Sequence, residues 1–130
     1  MRHANCRATA QSVRQGAAFL VVDGVMNSAY QVWLRDVLRR LIATHGTLEL
    51  FVDARQVHGY KPPQRAEDAE LLLSLSDKIT RVHVLVRSRL LALSLSVADL
   101  TLSGSVSAYA KLTKFHAVLA PESLPQAAGF

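Results

Sequence analysis

The strongest constraint on this chain is the run Leu48–Val52, LELFV, which stops at Asp53 and gives way to the polar stretch ARQVHGY ending at Tyr60. Apolar residues at both parities suit a strand covered on two faces, as in the middle of a parallel sheet. The polar residues after Asp53 read as a loop that leaves the sheet. The chain must therefore cover a central strand from both sides and deliver a loop to one sheet edge.

The rest of the sequence supplies the other layers. Residues 5–13 alternate loosely and Ala17–Val22, AAFLVV, reads as a strand buried on both faces before Asp23-Gly24, the two forming antiparallel strands joined by a tight turn at Arg14–Gly16. Ser28 is the expected N-cap of a helix. Tyr30, Trp33, Leu34, Val37, Leu38, Leu41 and Ile42 then recur at helical spacing, Gln31 falls on the opposite, polar face, and Gly46 closes the helix. Pro62-Pro63 opens a second helix packed through Ala66, Ala69, Leu72, Leu73 and Ser76. Residues 79–86, ITRVHVLV, form a further strand with Arg81 and His83 on one face. Residues 90–102 fit a helix, 106–109 a short strand and 114–120 a last helix capped by Thr113. The expected order is ββαβαβαβα: an α/β fold with a mostly parallel central sheet and flanking helices. It reads as one domain over 1–130, with a core of about residues 7–120 and a frayed C-terminal tail.

Composition narrows the function classes. Cys6 is the single cysteine, so no internal disulfide forms, which fits a reducing, cytoplasmic setting. No apolar run is long enough to span a bilayer. The first sixteen residues lack the apolar core of a secretory signal and the amphipathic pattern of a presequence. The formal net charge is +5, but the arginines are spread along the chain with no interleaved aromatics, so nucleic acid is not an expected partner. His3, His45, His58, His83 and His116 have no metal-ligand spacing, and the glycines are isolated. No nucleophile, base and oxyanion donor can be named together. The reading is of a non-enzyme without metal or cofactor.

Candidate binding residues lie where the parallel strands should end. Asp23 and Asp53 each close an apolar run. They would either bind a cation or share a proton, or else each would cap a loop or helix or pair with Arg55 or Arg87. Arg55, His58, Lys61, Arg87 and Arg89, with Gln56 and Tyr60 beside them, would form a rim for an anion or an acidic partner, or else an ordinary solvated loop. A helix over 90–102 would have a broad apolar face, open to three uses: core packing, a homodimer surface, or the wall of a lipid pocket.

The element order and the stretch LFVDARQVHGY resemble the STAS domains, and more closely their SpoIIAA-like branch, which includes STAS/SEC14-like proteins. The resemblance runs from about Arg7 to Ala120. In the bacterial anti-sigma-factor antagonists of that family, an apolar strand leads into Asp-Ser-Ser-Gly and a helix. Here Asp53 is followed by Ala54, Arg55 and Gln56. The resemblance implies a non-catalytic regulatory module that binds a partner protein through its strand-end loops. The missing hydroxyl implies that serine phosphorylation is not its switch. The SEC14-like relatives imply the alternative of a lipid or small apolar ligand, with contact to an anionic membrane surface.

Overall fold

The computed structural model describes residues 1–88 and 106–119. Arg89, the segment 90–102 read above as a helix, and the tail beyond Leu119 lie outside the described residues. The elements are β1 (Arg2–His3), β2 (Cys6–Arg14), β3 (Ala17–Val25), α1 (Ser28–His45), β4 (Leu48–Gly59), α2 (Pro62–Ser74), β5 (Ile79–Leu85), β6 (Val106–Tyr109) and α3 (Leu112–Leu119).

The six strands lie side by side in sequence order. β1 to β2 and β2 to β3 are antiparallel, whereas β3, β4, β5 and β6 run parallel. The sheet is thus mixed, not mostly parallel, and the extra strand β1 departs from the expected order. Short turns inside the first 25 residues can only reverse the chain, so the N-terminal strands pair antiparallel. Beyond Val25 each helix carries the chain to the next parallel strand. Successive right-handed crossovers in one direction place α1 and α2 on the same face.

Strand parity divides the core in two. Ala18, Leu20, Val22, Leu48, Leu50, Val82 and Val106 face α1 and α2, packing with Tyr30, Leu34 and Leu38. Ala17, Phe51 and Leu85 face the other way and pack with Phe115 of α3. β3 is covered on both sides only at its start, because α3 does not reach Val21, which is 37% exposed.

α1 starts one residue earlier than expected. Asn27 is the cap, its side-chain oxygen accepting the Tyr30 N–H at 2.9 Å. Gly46 ends the helix at φ 84°, a conformation that favours glycine. Gln31 is not on the solvent face; it is buried, and its amide donates to the Gln64 carbonyl at 3.4 Å. α2 is rotated from the expected stripe: Leu71, Leu72 and Leu75 face the core and Leu73 is exposed.

The largest correction falls on the stretch after Asp53. It is not a loop: β4 continues to Gly59. β3 also runs on to Val25, and pairing resumes as Asp23 with Gln56, Gly24 with Val57 and Val25 with Gly59. The register slips between Val21 and Asp23, and again between Gly24 and Val25, each time with one extra residue on β4. These bulges let polar residues stay in the ladder. Gly24, at φ 95°, is required here: a Cβ would sit 1.7 Å from the Asn5 carbonyl oxygen.

Candidate functional site

The parallel strands β3, β4 and β5 end at a common edge, and the residues singled out in the sequence gather there in two states. Asp53 and Arg55 form a closed pair. Arg55 donates from Nε to Oδ1 at 3.0 Å, from Nη2 to Oδ2 at 2.8 Å, and from its amide to Oδ1 at 3.1 Å. Burial alone pushes the Asp53 carboxyl up, but these hydrogen bonds outweigh it and hold the group below its ordinary value. The same bonds push the Arg55 guanidinium up.

Asp23 does not join Asp53; it pairs with Arg7 at 3.2 Å. Among the described residues no three His, Cys, Asp or Glu side chains gather to hold a metal ion. Arg87 reaches back over β4 and donates from Nη1 to the Val57 carbonyl at 2.6 Å. Tyr60 turns inward, its hydroxyl donating to Asp68 of α2. Burial pushes both the Tyr60 hydroxyl and the Asp68 carboxyl up. Gln56, His58 and Lys61 remain exposed. His58 lines an open cleft of about 440 Å³ with Arg2, Arg7 and Asp23.

Local sequence explains this division. Asp53 and Arg55 share a strand parity, so the two side chains meet on one face. The β4 bulges turn Gln56 and His58 outward. Pro62 fixes the start of α2 directly after Lys61, which leaves that side chain at the edge.

A second polar group lies away from this edge. His83 is 4% exposed on the α3 side of the sheet. With its proton on Nε2, the ring donates to Glu49 Oε2 at 2.6 Å and accepts from the Tyr109 hydroxyl on Nδ1 at 2.8 Å. It stacks on Phe51 at 4.5 Å. Arg14 donates from Nη2 to Glu49 Oε1 at 3.2 Å and from Nη1 to the Leu119 carbonyl of α3. Arg81 donates from Nε to Ser107 at 2.9 Å on the same face. The signal available for this network was an acid inside LELFV at the parity of His83 on the neighbouring strand. The chain contacts of Arg14 and Tyr109, distant in sequence, carried none.

No protein-family model matches the chain. No curated protein matches it. A crystal structure of a DUF3478-family protein from Shewanella loihica, described as having a SpoIIAA-like fold, superimposes with a TM-score of 0.70 at 16% identity, over 92% of this chain and 98% of its own. The fold is SpoIIAA-like. Within that fold, the edge formed by Asp23, Asp53–Tyr60 and Arg87 is the carboxyl end of the parallel strands. Among the described residues, no helix is long and apolar enough to cross a membrane.

Proposed function

We propose that this SpoIIAA-like domain is a non-catalytic regulatory module that holds a partner protein at the carboxyl edge of its parallel strands. The observation that carries the reading is the state of that edge. Asp53 and Arg55 neutralise each other within the strand, and Arg87 is tied to the Val57 carbonyl. Gln56, His58 and Lys61 are left exposed beside the start of α2. The inner groups fix the backbone, and the outer groups offer a polar, cationic rim to an acidic surface. Ala54 stands where a phosphorylatable serine would be expected, so the reading excludes a serine switch at that position.

The test is co-purification from the source cell with tagged chain. Lys61→Glu combined with His58→Glu should lower recovery of a bound partner at least about tenfold, since it reverses the Lys61 charge and adds a second carboxylate facing an acidic surface. Arg39→Glu, on the far face of α1, should leave recovery unchanged. Equal recovery with all three proteins would count against this edge.

A further inference from the structure

The opposite edge of the sheet carries an unfinished ladder. β1 covers only the start of β2, pairing Arg2 with Arg7 and His3 with Cys6. Next to it, the Ala8 N–H donates to the Met1 carbonyl at 2.9 Å, and the Met1 nitrogen donates to the Ala8 carbonyl at 2.8 Å. Ala8 therefore turns both main-chain groups away from β3. In an antiparallel strand every second residue repeats that orientation. The register with β3 stays regular as far as Ser12 opposite Ala18, so Ala10 and Ser12 also point outward. Among the described residues no strand lies beyond β1 and β2 on this side to receive them.

Below this open edge, Ala8 is buried against the core, but Ala10 and Ser12 of the same parity are exposed. A groove of about 470 Å³ runs between Ala8 and Ala10 of β2 and Trp33, Val37, Arg40 and Leu41 of α1. Met1 closes one end of it, Arg40 is the one charged side chain in its lining, and no acid lines it.

We propose that residues 9–12 of β2 accept an extended segment of a partner protein as an added strand. An apolar side chain opposite Ala10 enters the groove beside Trp33, and an acidic side chain two residues along the segment meets Arg40. Unpaired main-chain groups call for a backbone, which a lipid or small molecule does not supply. β1 already shows that this edge takes an antiparallel strand. A second copy of the chain is a poor occupant. Its own β2, CRATAQSVR, offers only alanine and serine at the groove-facing parity near Ala10 and contains no acid for Arg40. This surface lies at the β1/β2 edge, apart from the Gln56–Lys61 rim, so either can fail without the other.

Trp33 is the chain's single tryptophan and reports directly on the groove. The probe is a blocked heptapeptide of threonines with a central leucine and a glutamate two positions further on. Titration should give a saturable blue shift of Trp33 emission and slow amide exchange at both Ala10 and Ser12. A lysine in place of the glutamate should weaken binding about tenfold, or 1.4 kcal/mol. Arg40→Glu, on the exposed surface of α1, should reverse that preference. Ala10→Pro should abolish binding, because it removes an outward N–H that β3 does not use, and edge strands tolerate proline. The proposal is overturned by an unmoved Trp33 with unchanged exchange at both amides. It is also overturned if Arg40→Glu keeps the glutamate preference, or if both amides are protected without peptide in a dimeric chain.

Discussion

On the face covered by α1 and α2, the sheet presents Ala18, Leu20, Val22, Leu48, Leu50 and Val82, and the helices answer with Leu34 and Leu38. On the face covered by α3, Phe51, Leu85 and Phe115 share the space with Arg14, Glu49, His83 and Tyr109. Apolar contact is non-directional and scales with the area removed from water. A buried hydrogen-bonded chain holds only when each partner is placed correctly, and leaving one member unpaired costs more than the bond contributed. The first face therefore supplies bulk stability. The second fixes where α3 sits, since Arg14 ties its last carbonyl to the sheet through Glu49.

Truncation of each face separates the two roles. Leu38 is fully buried on α1. Leu38→Ala should cost about 3 kcal/mol, within the range for buried leucines, and should lower the urea midpoint for the whole domain. Phe115 is 1% exposed and packs edge-on to Phe51 and Tyr109. Phe115→Ala removes a comparable area, but α3 has only eight residues and can detach alone. The expected loss is about 2 kcal/mol, read by hydrogen exchange as lost protection in α3 with protection in β3 and β4 retained. Loss of protection across the whole sheet would show that the two faces unfold as one unit.

The same contrast decides how much of the molecule was legible in its sequence. The α1 stripe could be read because helical spacing and burial coincide over Tyr30 to Ile42. β6 and the parallel run from β3 to β5 could be read from alternating apolar runs and helices. The edge is not legible in this way, because ARQVHGY looks like a loop until β3 is known to extend beside it. Its two bulges are a property of the pairing, not of β4 alone. Gln31 reads as solvent-facing because its partner, the Gln64 carbonyl, belongs to another helix. Asp53 beside Arg55 is legible from proximity of opposite charges in the sequence, whereas the strand parity that puts both side chains on one face is visible only once β4 is seen to continue. The His83 network joins residues from β2, β4, β5 and β6, and no local pattern encodes such a set.

Glu49 tests whether the polar face is a network or a set of separate pairs. It receives both Arg14 and His83. Glu49→Ala should cost about 1.5 kcal/mol by leaving buried donors unsatisfied. Arg14→Ala alone should loosen α3. If the residues act as a unit, the double variant will be milder than the sum by more than about 0.5 kcal/mol in a double-mutant cycle. Additive losses would reduce the network to independent contacts, and the contrast between the faces would then rest on Phe115 alone.

The smallest effect comes from a carboxylate placed on the apolar face. Asp68 accepts from the Tyr60 hydroxyl through Oδ2, whereas Oδ1 is buried without a hydrogen-bond partner among the described residues, and the nearby Gln31 amide only partly offsets its burial. Burial raises the carboxyl above its ordinary value of 3.8. The folded chain consequently binds this proton more tightly than the unfolded chain does. The contribution of Asp68 to stability is then greatest at low pH and falls as pH rises from the unfolded value through the raised one. Asp68→Asn keeps the acceptor for Tyr60 and removes the charge. It should raise stability at pH 7 by about 0.5–1 kcal/mol, as expected for relieving a partly compensated buried charge, and change little at pH 3. Urea melts of both proteins at the two pH values measure the difference. An equal shift at pH 3 and pH 7 would mean that packing, not ionisation, sets the cost of Asp68. The α1/α2 face would then tolerate a carboxylate as readily as the α3 face does.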